Sequence, residues 1–333
     1  MVAIPIRESA LLSSVGRVPL VEIHAVREQA PGCRVFATLE GVNPGGSIKD
    51  RPVVRMLMKA LQTGRLDAGR RLLDSSSGNA GISYALYGAA LGVPVTLVVP
   101  GNASRERLDR IRASGAELIL TDPLEGYDFA VAEARRLARA HPERYWYCDQ
   151  YSNPENWRAH YDTTGPELLR GVMASTGRPP DAFVAGIGTG GTLTGVARRL
   201  KEAHPATVVI AAIPDEFPGI EGLKPLGHPG DMVPAILDES LIDRRLPVRM
   251  EDAIPMCRRL AKAGLFVGPS AGALVHIACR VALEDRSRCI ATVLPDTGER
   301  YVSTGLWAGT DEQQENGKDR EPLMHGGVPW HCD

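Results

Sequence analysis

The sequence has no long apolar run. No stretch approaches the roughly 18 apolar residues that a membrane-spanning helix needs, so no membrane span is expected. Net charge is nearly absent: 38 Lys and Arg stand against 40 Asp and Glu, leaving −2. That balance offers no attraction to nucleic acid or to an anionic membrane. Cysteine is sparse, six scattered residues in 333 with no CxxC pair. Neither a disulfide framework nor a metal site is expected, and the thiols read as reduced residues of a cytoplasmic protein. The opening run MVAIPIRES lacks the basic-then-apolar order of a secretion signal. No internal repeat is visible. What is present is ordinary for a globular chain: 44% apolar and 23% charged residues. The length suits roughly two domains.

Apolar runs of strand length alternate with runs of helical period. VPVTLVVP, AELILTD, RYWYCDQ, DAFVAGIG, TVVIAAIP and CIATVLPD read as short buried strands. Between them ASRERLDRIRAS, YDFAVAEARRLARAH, TLTGVARRLKEAH and AGALVHIACRVALE carry helical spacing. This alternation predicts an α/β fold with mostly parallel sheets. From about Thr310 the chain turns polar (TDEQQENGKDREP), so residues 310–333 are expected to form a tail.

Chemistry concentrates in a few turns. In NPGGSIKDR, Asn43 to Arg51, two glycines allow a tight turn and Lys49 stands just before a helical run with Val53, Met56, Leu57 and Leu61. A helix start carries partial positive charge. With burial, that field lowers a lysine pKa toward the neutral amine that imine formation requires. DSSSGNAG, Asp74 to Gly81, places hydroxyls, glycines and Asn79 before another helical run, as an anion nest or a plain Ser-rich cap. VAGIGTGGTLTG, Val184 to Gly195, follows a strand and opens a helix. Gly186, Gly188 and Gly191 satisfy GxGxxG and Asp215 follows the next strand, so an NAD-dependent dehydrogenase is one reading and a general phosphate cradle another. In GPSAGA, Ser270 suits a helix N-cap, and in LPDTGERYVST, Asp296 and Thr297 suit turn formation. So many Gly, Ser and Thr turns at strand ends point to one ligand crevice.

Taken together, NPGGSIKDR, SSGNAG, QYSNPEN, GIGTGGTLTG, GPSAG and PDTGERYVST resemble the fold-type II pyridoxal 5′-phosphate (PLP) enzymes, and among them the cysteine synthases, also called O-acetylserine or O-phosphoserine sulfhydrylases. The resemblance runs from about Pro19 to Gly309, and HYDTTGPELL with YVSTGLWAG resembles the CysM-type branch. It implies two open, twisted, mostly parallel sheets flanked by helices, as in the tryptophan synthase β-like fold. Residues 1–40 and 153–309 would form the larger, phosphate-binding domain, and 41–152 a smaller mobile one. Lys49 would form the internal aldimine with PLP and move the α-proton. Asn79 would meet the cofactor's 3′ oxygen, and Gly188, Thr189, Gly190, Gly191 and Thr192 its phosphate. Ser270 would face the pyridine nitrogen, where a serine leaves a weaker electron sink than an aspartate and so favours β-elimination. Ser76, Ser77, Asn79 and Gln150 would hold the substrate carboxylate. The implied activity is β-replacement on O-acetyl-L-serine or O-phospho-L-serine by sulfide, or by a sulfur-carrier thiocarboxylate, through an α-aminoacrylate. A cystathionine β-synthase-like reaction with homocysteine and a serine/threonine dehydratase are the alternatives, and a homodimer is implied. Three positions depart from the pattern: Ser76 and Ala80 stand where threonines are usual, and Ala271 where a hydroxyl is. Lys224, in FPGIEGLKPLG, matches the place where O-phosphoserine users of that branch carry an arginine.

Overall fold

A computed structural model describes residues 10–27, 30–66, 69–227, 232–285 and 288–307. The tail expected over 310–333 lies outside the described residues. Among the described residues, ten strands form two sheets. They are β1 (Leu20–Glu22), β2 (Arg34–Leu39), β3 (Arg71–Ser75), β4 (Val95–Pro100), β5 (Glu117–Thr121), β6 (Tyr145–Tyr147), β7 (Ala182–Gly186), β8 (Val208–Pro214), β9 (Arg244–Val248) and β10 (Cys289–Leu294). All six expected strands form, as β4 to β8 and β10. β2, β3 and β9 were not among them, nor was three-residue β1.

The larger sheet has the order β1-β2-β10-β7-β8-β9, and the smaller the order β5-β4-β3-β6. Only β1 pairs antiparallel, with β2; the remaining pairs are parallel. Parallel strands covered by helices on both faces have no polar side to show, which is why every residue of β4 and β10 is buried. Helices pack accordingly. In helix Asp50–Gln62, Val53, Met56, Leu57 and Ala60 are buried at spacings of three and four, one face of the helix. That face joins Tyr84, Tyr87, Leu97 and Ile111 in the core of the smaller sheet. Phe183, Leu193, Ile210, Leu274 and Ile290 belong to the core around the larger one.

This topology decides where loops can meet. The C-terminal ends of β3, β7 and β10 lead into SSGN, IGTGGT and PDTG respectively. In open parallel sheets that edge is where a crevice forms. Among the described residues, no helix is long and apolar enough to cross a membrane.

Candidate active site

Lys49 is the N-cap residue of helix Asp50–Gln62, the junction expected for it. The turn before it is built by close contact. A Cβ on Gly45 would lie 2.2 Å from an Asp50 carboxylate oxygen; the bare Gly45 amide donates to that carboxylate instead. Asp50 also accepts from Ser83 and, at 2.9 Å, from Tyr87, tying the helix start to helix Asn79–Leu91. Next to it, buried Arg51 pairs with Glu40 and Glu167, each at 2.8 Å. Lys49 is thus fixed at its backbone by neighbours on both sides while its side chain lines a cavity. Among the described residues, no hydrogen bond or ion pair holds its amine. Burial pushes the Lys49 pKa down, and the Asp296 carboxylate opposes that shift.

The cavity has a volume of about 380 Å³ and collects loops from both sheets. Every residue expected at the site lines it, from Lys49, the Ser76–Asn79 loop and Gln150 to the Gly188–Thr192 loop, Lys224 and Ser270. The glycine loop ends in helix Gly191–Ala203, with Gly190 as a left-handed N-cap at φ +83°. That conformation favours glycine and turns successive amides to one side. A Cβ on Gly188 would lie 2.7 Å from the Gly222 carbonyl oxygen and 3.8 Å from Lys49 Nζ, so the bare backbone is itself the cavity wall. Asn156, from QYSNPEN, braces this loop. Its Nδ2 donates to Thr189 Oγ1 at 3.1 Å and to the Gln150 carbonyl at 2.7 Å. Thr192 Oγ1 lies 3.3 Å from His160 Nε2, and burial, with Arg51 and Lys49 adding repulsion, keeps His160 neutral.

Residues 11–296 match the model of the pyridoxal-phosphate dependent enzyme family. The cysteine synthase of Aquifex aeolicus is 45% identical over 309 residues, 90% of this chain and 93% of that protein. The chain belongs to the pyridoxal-phosphate-dependent cysteine synthase family. Among solved structures, a cysteine synthase from Entamoeba histolytica superposes with TM-score 0.82 at 32% identity, covering 95% of this chain and 97% of that one. An O-ureido-L-serine synthase gives TM-score 0.82 at 34% identity, over 92% and 99%. The enzyme is therefore of fold type II, and the dinucleotide reading of GIGTGG is set aside.

The residues fit the cofactor. An unpaired amine of lowered pKa suits an aldehyde, and a glycine loop opening a helix suits a phosphate. Two readings of the sequence need correction. The N-cap of helix Pro269–Glu284 is Gly268, with Pro269 in the first turn; Ser270 is already helical, buried and facing the cavity. Asp296 is no simple turn former. It is buried, with Oδ2 accepting from Asn79 Nδ2 and from Tyr301, both at 2.7 Å, and Oδ1 without a hydrogen-bond partner among the described residues. Burial, opposed by those hydrogen bonds, raises its pKa.

Two ion pairs at the cavity lining went unread. Arg107 pairs with Glu221 and Lys224 Nζ lies 3.9 Å from Asp128 Oδ1. Arg300 donates to both Asn79 Oδ1 and the Gly45 carbonyl. Because a guanidinium only donates, it fixes the Asn79 amide with Oδ1 outward and Nδ2 toward the cavity carboxylate. Arg107 and Arg300 sit in runs that read as a helix surface and a turn. Their partners are more than 100 residues away, so no local signal marks them.

Proposed function

We propose that the enzyme makes L-cysteine by replacing the β-substituent of an activated L-serine with sulfide. The observation that carries this reading is Lys49: a cavity-lining amine of lowered pKa, unpaired among the described residues and in reach of the glycine loop. Bound PLP supplies an electron sink for the bond changes at the substrate's α and β carbons. Lys49 would hold its aldehyde carbon and, when free, carry the α-proton. The amides of Gly188 to Thr192 and the hydroxyls of Thr189 and Thr192 would hold the phosphate, and Asn79 Nδ2 the 3′ oxygen. Ser270, neutral and buried, would meet the pyridine nitrogen without adding a charge. Ser76, Ser77, Asn79 and Gln150 would bind the substrate carboxylate. Residues 41–152, with the smaller sheet, would move as a unit over the cavity held by 1–40 and 153–309. A homodimer, a cytoplasmic location and a sulfur-carrier partner belong to the same proposal.

For the donor, Lys224 favours O-phospho-L-serine beside O-acetyl-L-serine. Its ammonium lines the cavity over the Tyr151 ring, 5.1 Å from the centroid, and its one carboxylate partner among the described residues is distant at 3.9 Å. The test is steady-state kinetics with both donors and sulfide, with cysteine measured directly. Borohydride reduction and peptide mapping locate the cofactor. Label on Lys49 and cysteine formation are expected. Label on another lysine removes the assignment. Turnover only with homocysteine, or pyruvate release without an acceptor, replaces cysteine synthesis with cystathionine formation or with dehydration.

A further inference from the structure

We propose that Asp74 is a positioning residue for substrate binding: its buried carboxylate holds the Gln150 segment in place, and so sets the affinity for the substrate carboxylate. This rests on the carboxylate role proposed above for Gln150. Asp74 is the penultimate residue of β3 and is buried. Three segments converge on it. Oδ1 accepts from the Ser75 amide at 2.8 Å. Oδ2 accepts from Tyr84 Oη of helix Asn79–Leu91 at 2.7 Å and from the Gln150 amide at 3.3 Å. Gln150 returns to the same strand end through Nε2, which donates to the Ser75 carbonyl at 3.1 Å. The chain bends to allow this: Asp149, just before Gln150, has φ +48°, the one positive value outside glycine among the described residues. A side chain that tolerates the left-handed region is needed there, and aspartate is among the few that do.

None of Asp74's hydrogen bonds comes from a cation. The groups facing it are Tyr84, Cys148, Asp149, Tyr147, Tyr127 and Tyr151, and Arg135 pairs with Asp149 at 3.7 Å. Burial pushes Asp74 up to about 7, Asp149 adds to the rise, and the Tyr84 hydroxyl and the two amides oppose it. The carboxyl therefore changes charge in the neutral range, and the site has a place for each form. Ionised, Oδ2 accepts from both Tyr84 and Gln150. Protonated, Oδ2 donates to Tyr84 Oη and becomes a poor acceptor for the Gln150 amide. Tyr84 can then turn its own hydrogen to Cys148 Sγ, 3.4 Å away. The Tyr84–Cys148 contact keeps the neutral form satisfied while Gln150 loses its anchor.

The test compares wild type, Asp74→Asn, Tyr84→Phe and Gln150→Ala in the loaded enzyme. The readouts are KM and kcat for the donor from pH 6 to 9, and the dissociation constant of L-alanine. L-Alanine carries the substrate's amino and carboxyl groups without a leaving group, and its binding is followed by the cofactor's visible absorbance. For Asp74→Asn, KM and the L-alanine constant rise about tenfold at pH 8, the worth of one charge-assisted hydrogen bond, while kcat stays within about twofold. The wild-type rise in KM below neutral pH disappears in that variant. In Tyr84→Phe, which removes a bond to the ionised form, the inflection moves to higher pH. Equal losses of kcat and KM, or an unshifted pH profile in both Asp74→Asn and Tyr84→Phe, overturn the proposal. Gln150→Ala separates the two layers. An unchanged KM there overturns the carboxylate reading itself. A raised KM in Gln150→Ala with a normal KM and profile in Asp74→Asn overturns the positioning role alone.

Discussion

Removing the Lys224 side chain distinguishes the two donors most directly. The perturbation is Lys224→Ala. The backbone cost is small, because the Lys224 amide keeps its bond to the Ile187 carbonyl at 2.6 Å whatever the side chain. The lost ion pair costs little too. Lys224 is 20% exposed, Asp128 is 66% exposed, and they meet at 3.9 Å; such exposed pairs contribute about 0–1 kcal/mol. The ammonium is thus nearly free to serve a ligand. A phosphate ester carries about two negative charges, an acetyl ester none. A charge-assisted hydrogen bond to the phosphate contributes about 1.5–3 kcal/mol, and lysine, a point charge without arginine's fork, belongs at the lower end. About 1.5 kcal/mol is roughly a tenfold change in specificity. The expected outcome is a tenfold loss of kcat/KM for O-phospho-L-serine and a change under about twofold for O-acetyl-L-serine. Both are measured with sulfide at fixed ionic strength. Equal changes for the two donors, or none, refute the reasoning and leave O-acetyl-L-serine as the donor.

Three further substitutions probe the cofactor side. Lys49→Ala abolishes turnover and the visible absorbance of the covalently held cofactor; a variant that keeps both shows that another amine carries it. Ser270→Asp places a carboxylate where a neutral, buried hydroxyl now sits, which protonates the pyridine nitrogen and deepens the electron sink. Slower β-elimination and new long-wavelength absorbance on adding donor are expected, and an unchanged spectrum and rate would leave Ser270 as packing only. Gly188→Ala puts a methyl 2.7 Å from the Gly222 carbonyl oxygen. Overpacking of that kind costs about 1–3 kcal/mol, so the cofactor dissociation constant, read by absorbance titration, rises about tenfold or more. An unaltered constant means the loop yields freely.

Much of the layout is local and was therefore legible. Strand and helix runs depend on residue spacing, so β4 to β8, β10 and the helices Arg105–Ala113, Gly126–Ala140, Gly191–Ala203 and Pro269–Glu284 follow from periodicity. Lys49 at a helix start and the glycine loop after β7 follow from turn chemistry, because a left-handed Gly190 and a bare Gly188 leave their mark in the residues themselves. β9 escaped because RRLPV mixes arginines and a proline with few apolar residues. An edge strand tolerates that composition since one side makes no ladder, and only its place beside β8 reveals it. Ser270 read as a cap because a serine before a helical run has that local meaning; Pro269 inside the first turn moved the cap to Gly268.

What tertiary structure alone decided are the contacts between distant segments. Asn79 and Asp296 are 217 residues apart and hydrogen-bonded at 2.7 Å. Asp74, Tyr84 and Gln150 meet only because β3 lies between β4 and β6. Arg107, on the helix Arg105–Ala113 that follows β4, meets Glu221, in the loop after β8, because elements leading from different sheets face one cavity. A carboxylate such as Asp74 or Asp296 carries no sequence mark of its burial, and burial is what moves its pKa. The sequence by itself determined which loops hold chemistry; the folded chain decided which charges are desolvated there and which partner each one has.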